Sequence, residues 1–162
     1  MKRRVIRILA PYSRTLCFQD RGVFYGTVAA SSRVLEIWLN KTFKTGRQPV
    51  VVAVIPTTRD HILNDLLAGR GDIGAGDITV PEQPISQLAF THPLLRGVKE
   101  ILVTGAKTPK LADADALSAT EVTTREGTSS FQSLQALNQT SPLPASRRSN
   151  WSLFPGRWRM RI

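Results

Sequence analysis

Cysteine and histidine are the side chains most often used for nucleophilic catalysis or metal binding, and this chain contains one cysteine and two histidines. Cys17 lies between Leu16 and Phe18, a setting typical of a buried small apolar residue rather than of a reactive thiol. A single cysteine cannot form an internal disulfide. His61 and His92 have no third potential ligand at a spacing that metal sites use. The sequence therefore predicts no metal site and no cofactor.

The charge of the chain is unevenly placed. Its formal net charge is +10, from 22 basic and 12 acidic residues, and five of the arginines lie between Gln139 and Ile162, where there is no acid. The remaining 17 basic residues are spread along the chain among all 12 acids. This distribution indicates a solvated surface followed by a basic tail, so we expect no nucleic-acid binding. The alternative is that arginine and tryptophan side chains of the tail stack on single-stranded bases.

The spacing of apolar residues predicts the elements that must position any site in the first half. The predicted strands are Val5–Ala10, Val50–Ile55 and a short strand in the glycine-rich segment 69–76. The predicted helices are Val28–Asn40 and a second one that begins after Pro56 and continues through Leu67. The continuous apolar run Val50–Ile55 is typical of a strand buried on both faces of a parallel sheet. Thr57 or Thr58 is the expected N-cap of the helix that follows it.

The second half continues the alternation with weaker signals. We expect a short helix after Pro81, strands at Lys99–Val103 and Glu121–Thr124, and a helix that ends at Leu137. Strands that alternate with helices indicate an α/β architecture with a mostly parallel sheet.

Three segments in the middle of the chain resemble the central signature of type 2 periplasmic solute-binding domains. They are Leu66–Ile73 (LLAGRGDI), Asp77–Glu82 (DITVPE) and Leu88–Pro93 (LAFTHP). Together with Pro11–Leu16, Pro56–Asp60 and Gly97–Gly105, they are similar to the family 3 binding domain of membrane-bound lytic murein transglycosylase F and its relatives. The resemblance covers about residues 5–138. It implies a domain of two lobes that close on a small solute.

The resemblance also implies a division of the chain. Residues 1–105 would form a nearly complete first lobe, and residues 106–138 would form the crossover and only the start of a second lobe. Residues 139–162 would be a basic tail outside the family fold, which we expect to be disordered.

Six residues are the ligand-binding candidates that the resemblance implies. Asp77 and Thr79 match family positions that bind the amino and carboxylate groups of the ligand. Thr128 and Ser129 precede a predicted helix, where N–H groups and hydroxyls suit an anion. Arg14 and Arg59 are further charged candidates near the opening of the site.

Four of the six candidates have a structural alternative. Thr79 could bond a turn backbone, Thr128 or Ser129 could only cap a helix, and Arg59 with Asp60 could be a solvated helix start.

The chain departs from the family at two positions. Pro84 stands where the family has an arginine that binds the ligand carboxylate through two parallel hydrogen bonds, and Ala30 stands where it often has an acid. Both departures argue against conventional amino-acid binding.

The predicted function is solute binding or sensing without catalysis, with an amino-acid-like or peptide-like ligand. A lytic transglycosylase needs a glutamate as general acid and base, and no glutamate of this chain lies in a motif of that catalytic domain. We therefore expect no enzyme activity. The alternatives are a fragment of a peptidoglycan lytic transglycosylase and the nucleic-acid-binding protein described above.

The composition of the tail suggests a shift of reading frame. A frameshift between about Asn138 and Arg147 would explain the abrupt change, because a shifted frame can encode a plausible strand and turn in place of the basic segment. We expect on this ground a chain truncated within its second lobe, with weak or lost solute binding. The encoding DNA tests this, since an early stop in the shifted frame would contradict it.

The start of the chain bears on its location. The basic residues after Met1 are followed by an apolar stretch that Arg7 and Pro11 interrupt, which is too short for a secretory signal. The sequence contains no run of about 20 apolar residues that could span a bilayer. We expect a cytoplasmic chain as written, although the resemblance implies a periplasmic or cell-envelope family. The expected partner is a small solute, with no metal, nucleic acid or membrane span.

Overall fold

Strands and helices alternate along the protein in the computed structural model, which describes residues 4–80, 85–106, 117, 121–125, 128–140 and 150–153. The chain divides into two compact units, Met1–Thr91 and His92–Ile162. The fold is mixed α/β, with a small parallel sheet and helices, as the alternation predicted. The predicted lobe boundary at residue 105 and the tail boundary at residue 138 stay predictions.

A sheet of three parallel strands organises the first unit. The strands are β1 (Val5–Pro11), β4 (Val51–Thr57) and β5 (Ile73–Gly74), and their order is β4-β1-β5. Residues of β1 pair with β4 from Val5↔Val51 to Pro11↔Thr57, and with β5 at Ile8↔Ile73 and Leu9↔Gly74. Because β1 has a partner on each side, its second half is the most buried part of the sheet, with Leu9 and Ala10 almost fully covered.

An antiparallel hairpin follows β1, and sequence periodicity did not predict it. Its strands are β2 (Phe18–Asp20) and β3 (Val23–Tyr25), joined by a turn at Arg21 and Gly22, which both have positive φ. The rings of Phe18 and Tyr25 stack across the pair with centroids 5.6 Å apart. Strands of three residues are too short to show an alternation that can be told from chance.

Helix α1 (Thr27–Thr42) lies on the sheet and confirms the predicted helix at Val28–Asn40. Its first two N–H groups are satisfied by main-chain carbonyls, since Thr27 donates to Thr15 and Val28 donates to Leu16, both at 2.9 Å. The preceding Gly26 has φ of 108°, and a Cβ there would overlap the Leu16 carbonyl oxygen. The loop after β1 therefore caps the helix, and the close approach requires glycine.

The predicted burial of Val50–Ile55 on both faces is wrong. Strand β4 is an edge strand, and its residues are partly or largely exposed, with Val51 at 47%. Helix α1 covers part of the open edge, because Glu36 Oε2 accepts the Val52 N–H at 2.7 Å. Pro56 lies inside the strand instead of ending it, and an edge strand tolerates proline because the ring removes one ladder donor.

Helix α2 (Ile62–Leu67) ends where the sequence predicted but begins later than expected. Neither Thr57 nor Thr58 is its N-cap, so that prediction is wrong: the cap position is His61, without a side-chain hydrogen bond. The Thr57 hydroxyl donates instead to the Asp65 carboxylate at 2.8 Å, and the Thr58 carbonyl accepts the His61 N–H at 3.0 Å. A turn therefore takes up the residues between β4 and α2.

The second unit contains β6 (Glu121–Thr124), α3 (Ser129–Thr140) and β7 (Asn150–Leu153). The predicted strand at Glu121–Thr124 and the helix after it are confirmed. Strand β7 pairs in parallel with β6 from Glu121↔Asn150 to Thr124↔Leu153. It lies within the segment 139–162 that we expected to be disordered, and the remainder of that segment beyond Thr140 is outside the described residues.

The predicted strand at Lys99–Val103 is wrong. Residues 98–105 are not in a strand and have no strand partner among the described residues, and Ile101 and Val103 are each 85% exposed. Apolar residues alone do not make a strand when no neighbouring edge satisfies their backbone groups. The short helix expected after Pro81 is absent from residues 85–106, and residues 81–84 are outside the described part of the chain.

Candidate functional site

The carboxyl ends of β1, β4 and β5 meet at one edge of the sheet, because the three strands are parallel. The chain passes from β1 to β4 on one side, and then returns through α2 to β5 on the other side. Such a reversal of direction is a topological switch point, the place where open α/β sheets bind ligands. Four candidate residues follow these three strands: Arg14 after β1, Arg59 after β4, and Asp77 and Thr79 after β5.

The loop after β1 is held by its own backbone. Ser13 and Cys17 form a bridge in which each N–H donates to the other carbonyl, at 2.9 and 3.1 Å. The Ser13 hydroxyl oxygen also accepts the N–H groups of Thr15 at 3.2 Å and Leu16 at 3.3 Å. Arg14 lies exposed in this tight loop. Sequence reasoning named Arg14 and missed Ser13, although a serine that precedes a short loop is a known local signal.

The loop after β5 contacts the loop after β1. Gly76 has φ of 130°, and a Cβ at this position would overlap the ring of Pro11. Asp77 follows with φ of 52°, a left-handed conformation that aspartate adopts more readily than most residues. The loop after β5 therefore packs on the end of β1 at Pro11 and close to Leu16 in the loop that follows, and this packing depends on glycine at position 76.

Arg59 joins the two outer loops. Its guanidinium donates to the main-chain carbonyl oxygen of Asp77 at 2.7 Å. The side chains of Arg59, Asp77 and Thr79 are all exposed, so the hydrogen bond places a cation beside a loop that carries an acid and a hydroxyl. Arg14 is not hydrogen-bonded to Arg59 or Asp77. The structure thus brings together Arg59 and the Asp77 backbone, and leaves Arg14 separate on the neighbouring loop.

A buried carboxylate anchors the end of β4, and sequence reasoning did not predict it. Asp65 accepts hydrogen bonds from the Thr57 hydroxyl at 2.8 Å and from Arg70 Nη1 at 2.7 Å. The hydrogen bond from Thr57 and the nearby Arg70 guanidinium lower the pKa of Asp65, although desolvation opposes the shift. This contact fixes the end of β4 just before Arg59. Thr57 and Asp65 lie eight positions apart, a separation that no simple sequence rule connects.

Thr128 and Ser129 belong to the second unit, where they lie at the start of α3. Thr128 is the N-cap of α3, because its hydroxyl oxygen accepts the Phe131 N–H at 3.4 Å. The same hydroxyl donates to the Arg125 carbonyl at 2.6 Å. Ser129 is the first residue of the helix. The capping alternative therefore describes the geometry of Thr128, and an anion at these residues stays a prediction.

The described residues contain no group of three or more His, Cys, Asp or Glu side chains that could hold a metal ion. The Cys17 thiol is fully buried, and desolvation raises its pKa. His61 Nε2 lies 3.7 Å from the Asp60 carboxylate. Within the described part of the chain, none of the helices has the length and apolar character needed to cross a bilayer.

Comparison of the chain with known protein families, curated proteins and solved structures finds no match of any of the three kinds. The geometry of the switch point is therefore the main support for a function. Of the two positions at which the sequence was expected to depart from the resembling family, Pro84 is outside the described residues, and Ala30 is exposed on α1.

Proposed function

We propose that this chain is a non-catalytic solute-binding or sensing domain of the type 2 periplasmic-binding class. In this proposal residues 1–105 form the first lobe of such a domain, and the relation is to the regulatory part of lytic murein transglycosylases. The observation that carries the proposal is the hydrogen bond from Arg59 to the Asp77 carbonyl. It places opposite charges at a topological switch point, where α/β sheets bind small molecules.

The charges suit a zwitterionic ligand of the amino-acid or peptide class. The Arg59 guanidinium has five N–H donors, and the bond from Nη1 to the Asp77 carbonyl uses only one nitrogen. The other donors can bind a carboxylate, and a planar fork favours two parallel hydrogen bonds to it. The Asp77 residue is exposed on the loop after β5, and its carboxylate can bind an ammonium group. Thr79 lies two residues later and is the remaining candidate on this loop.

Arg59 can also supply the guanidinium that the chain lacks at position 84, where the resembling family has an arginine. Proline at position 84 offers no charge and no donor for a ligand carboxylate. Arg59 supplies a guanidinium from the loop after β4 and is bonded to the turn at Asp77, seven residues before Pro84 in the sequence. We propose that this guanidinium replaces the missing one, and that the orientation of the ligand differs from the usual one.

The proposal is tested by the binding of single L-amino acids and dipeptides to the whole chain, measured by calorimetry and by the shift in melting temperature. Because the second lobe is expected to be incomplete, we expect weak binding by at least one zwitterion, which saturates only at high ligand concentration. Arg59→Gln and Asp77→Asn should each weaken it by roughly tenfold to a hundredfold, the effect of losing one hydrogen bond to a charged group. Arg96→Gln, which removes an exposed arginine in the other unit, is the matched control.

Two results would count against solute binding at this site. One is the absence of any saturable binding across the panel. The other is binding that the Arg59 and Asp77 variants leave unchanged, because the ligand would then be held elsewhere. Absence of catalysis is tested separately by incubating the chain with purified peptidoglycan. Release of soluble muropeptides would favour the alternative of a lytic transglycosylase fragment.

A further inference from the structure

Helix α1 carries a second apolar face that does not contact the sheet. Its first face is the buried one, which contains Val28, Ala29 and Ser32. On the outer face, Val34, Ile37 and Trp38 are exposed by 66%, 67% and 55%. Ile37 and Trp38 lie three and four positions after Val34, so all three side chains lie on one stripe of the helix. An ordinary surface helix carries polar residues along this stripe.

Phe43 extends this stripe beyond the end of the helix. It is 66% exposed, and its ring meets the Trp38 ring edge to face, with centroids 6.3 Å apart and an interplanar angle of 85°. We call Val34, Ile37, Trp38 and Phe43 the outer α1 patch. Single exposed apolar residues are common on proteins, but four large ones that adjoin each other mark an interaction surface.

The border of the outer α1 patch is cationic. Lys41 lies on the same stripe, one turn after Trp38, and Lys44 and Arg47 follow Phe43 in the exposed loop. Glu36 is the single acid between Asp20 and Asp60. Its carboxylate is turned to the sheet, where it accepts the Val52 N–H at 2.7 Å. The outer face of α1 therefore carries no acidic side chain beside these cations.

We propose that the outer α1 patch binds the surface of a membrane that contains anionic lipid. Tryptophan and phenylalanine side chains partition to the boundary between headgroups and acyl chains, with aliphatic side chains inserted beside them. Lysine and arginine at the border would bind the anionic headgroups, while their aliphatic stems lie along the apolar layer. The helix lies parallel to the surface in this arrangement and does not span it. This inference does not depend on the proposed solute site.

The chemistry of the patch favours a lipid surface over a second copy of the chain, a nucleic acid or a protein partner. A second copy of the chain, docked through the same patch about a two-fold axis, would bring Lys41 and Lys44 of both copies together. Nucleic acid would use the cations but would gain nothing from Val34 and Ile37, since its surface is phosphate and base. The surface of a membrane that contains anionic lipid is negative throughout, so it attracts each of the cations at this border.

The experiment is flotation of the whole chain with vesicles of about three parts phosphatidylcholine to one part phosphatidylserine, compared with pure phosphatidylcholine. We expect binding to the mixed vesicles that weakens as salt is raised. Trp38→Gln should lower the partition coefficient roughly tenfold through the loss of apolar contact. Lys41→Glu with Lys44→Glu should lower it by roughly thirtyfold or more, because two attractive charges are lost and two repulsive charges are added.

Matched controls separate the patch from general properties of the chain. Val23→Ser changes an exposed apolar residue of the hairpin, and Lys99→Glu reverses an exposed charge in the other unit. Both should bind vesicles like the unchanged protein. All variants are at exposed positions, and far-ultraviolet circular dichroism checks that each is folded.

Several outcomes would overturn the proposal. They are equal binding to both kinds of vesicle, no binding to either, and an equal loss in the patch and control variants. Two others identify a different occupant. One is a dimer in sedimentation that Trp38→Gln dissociates, and the other is binding to single-stranded DNA, without binding to vesicles, that the lysine variants abolish.

Discussion

The guanidinium of Arg59 donates a hydrogen bond of 2.7 Å to the main-chain carbonyl of Asp77, and this bond joins the loop after β4 to the loop after β5. Arg59 follows β4 and Asp77 follows β5, and these two strands lie on opposite sides of β1. The contact therefore joins the outer loops across the switch point. It also supports Asp77 in a left-handed conformation, which most residues avoid.

Removal of this contact should loosen the loop after β5. In Arg59→Gln, we expect the backbone amides of residues 76–79 to exchange with solvent about twofold to tenfold faster, the range for one ordinary hydrogen bond. Arg59→Lys keeps the positive charge without the planar guanidinium, and its exchange rate should lie between those of the unchanged protein and of Arg59→Gln. Hydrogen exchange followed by mass spectrometry measures this. Unchanged exchange in Arg59→Gln would show that the loop is held by its packing on Pro11 alone.

The Asp65 carboxylate should make stability depend on acid pH. The hydrogen bond from Thr57 and the neighbouring Arg70 lower the pKa of Asp65 in the folded protein from its ordinary value of 3.8. The unfolded chain therefore binds a proton more readily than the folded one. This stabilisation is complete above about pH 3.8 and is lost as the pH falls toward the lower folded pKa. Denaturant unfolding from pH 6 down to about pH 3 should show the loss.

Asp65→Asn provides the comparison. It should be less stable than the unchanged protein at pH 6, and its stability should decline less steeply as the pH falls. Asp20→Asn removes one exposed carboxylate of the hairpin without altering the Thr57–Asp65 contact and is the matched control. An equally steep decline in the Asp65 variant would show that other carboxylates dominate acid unfolding.

Cys17 should react only when the first unit opens. The thiol is fully buried beside Ile8, Ala10 and Val28, and burial raises its pKa, so little thiolate forms at neutral pH. We expect modification by Ellman's reagent to be at least about 100-fold slower in the folded protein than in denaturant, since the open form is rare. Because the chain has one cysteine, the signal has a single source.

An exposed cysteine calibrates this measurement. Ser31→Cys in a Cys17→Ala background places the thiol on the exposed face of α1, where it should react at nearly the rate of a free thiol. Equal rates for this thiol and for Cys17 would mean that the core around Cys17 is open in solution.

Gly76→Ala should destabilise the first unit because of both conformation and contact. The added Cβ would meet the ring of Pro11, and a φ of 130° is strained for any residue with a side chain. We expect a loss of about 1–3 kcal/mol in the free energy of unfolding. Gly69→Ala is the control, because Gly69 also has positive φ but nothing lies within 4 Å of its Cβ position. Equal losses in the two variants would assign the cost to φ alone.

Local patterns in the sequence were sufficient to predict elements whose burial follows a regular period. Strand β1, helix α1, the end of α2, strand β6 and helix α3 were all expected near their observed bounds. Each either repeats apolar residues at the spacing of its own backbone or is bounded by a clear terminal signal. The α/β class follows from the same alternation.

Elements that depend on a distant partner were predicted poorly. The apolar run Lys99–Val103 resembles a strand but has no partner, and the run Val50–Ile55 became an edge strand rather than a central one. Thr57 resembled a helix cap, but its hydroxyl is used by Asp65. In each case the outcome depended on a partner outside the segment: no strand pairs with Lys99–Val103 or with the second edge of β4 among the described residues, and Asp65 accepts the Thr57 hydroxyl. The periodicity of one segment does not reveal such partners.

For the candidate site, the sequence determined which side chains are available, and the resemblance pointed to Arg14, Arg59, Asp77, Thr79, Thr128 and Ser129. It also placed the first four after strands, because apolar runs and turn residues mark where strands end. Only the tertiary structure decided that β1 is central, that Gly76 packs on Pro11, and that Arg59 reaches the Asp77 carbonyl. The physical reason is that strand order and contacts between loops are set by backbone pairing and packing between distant segments, whereas the periodicity of a segment reports only on its own burial.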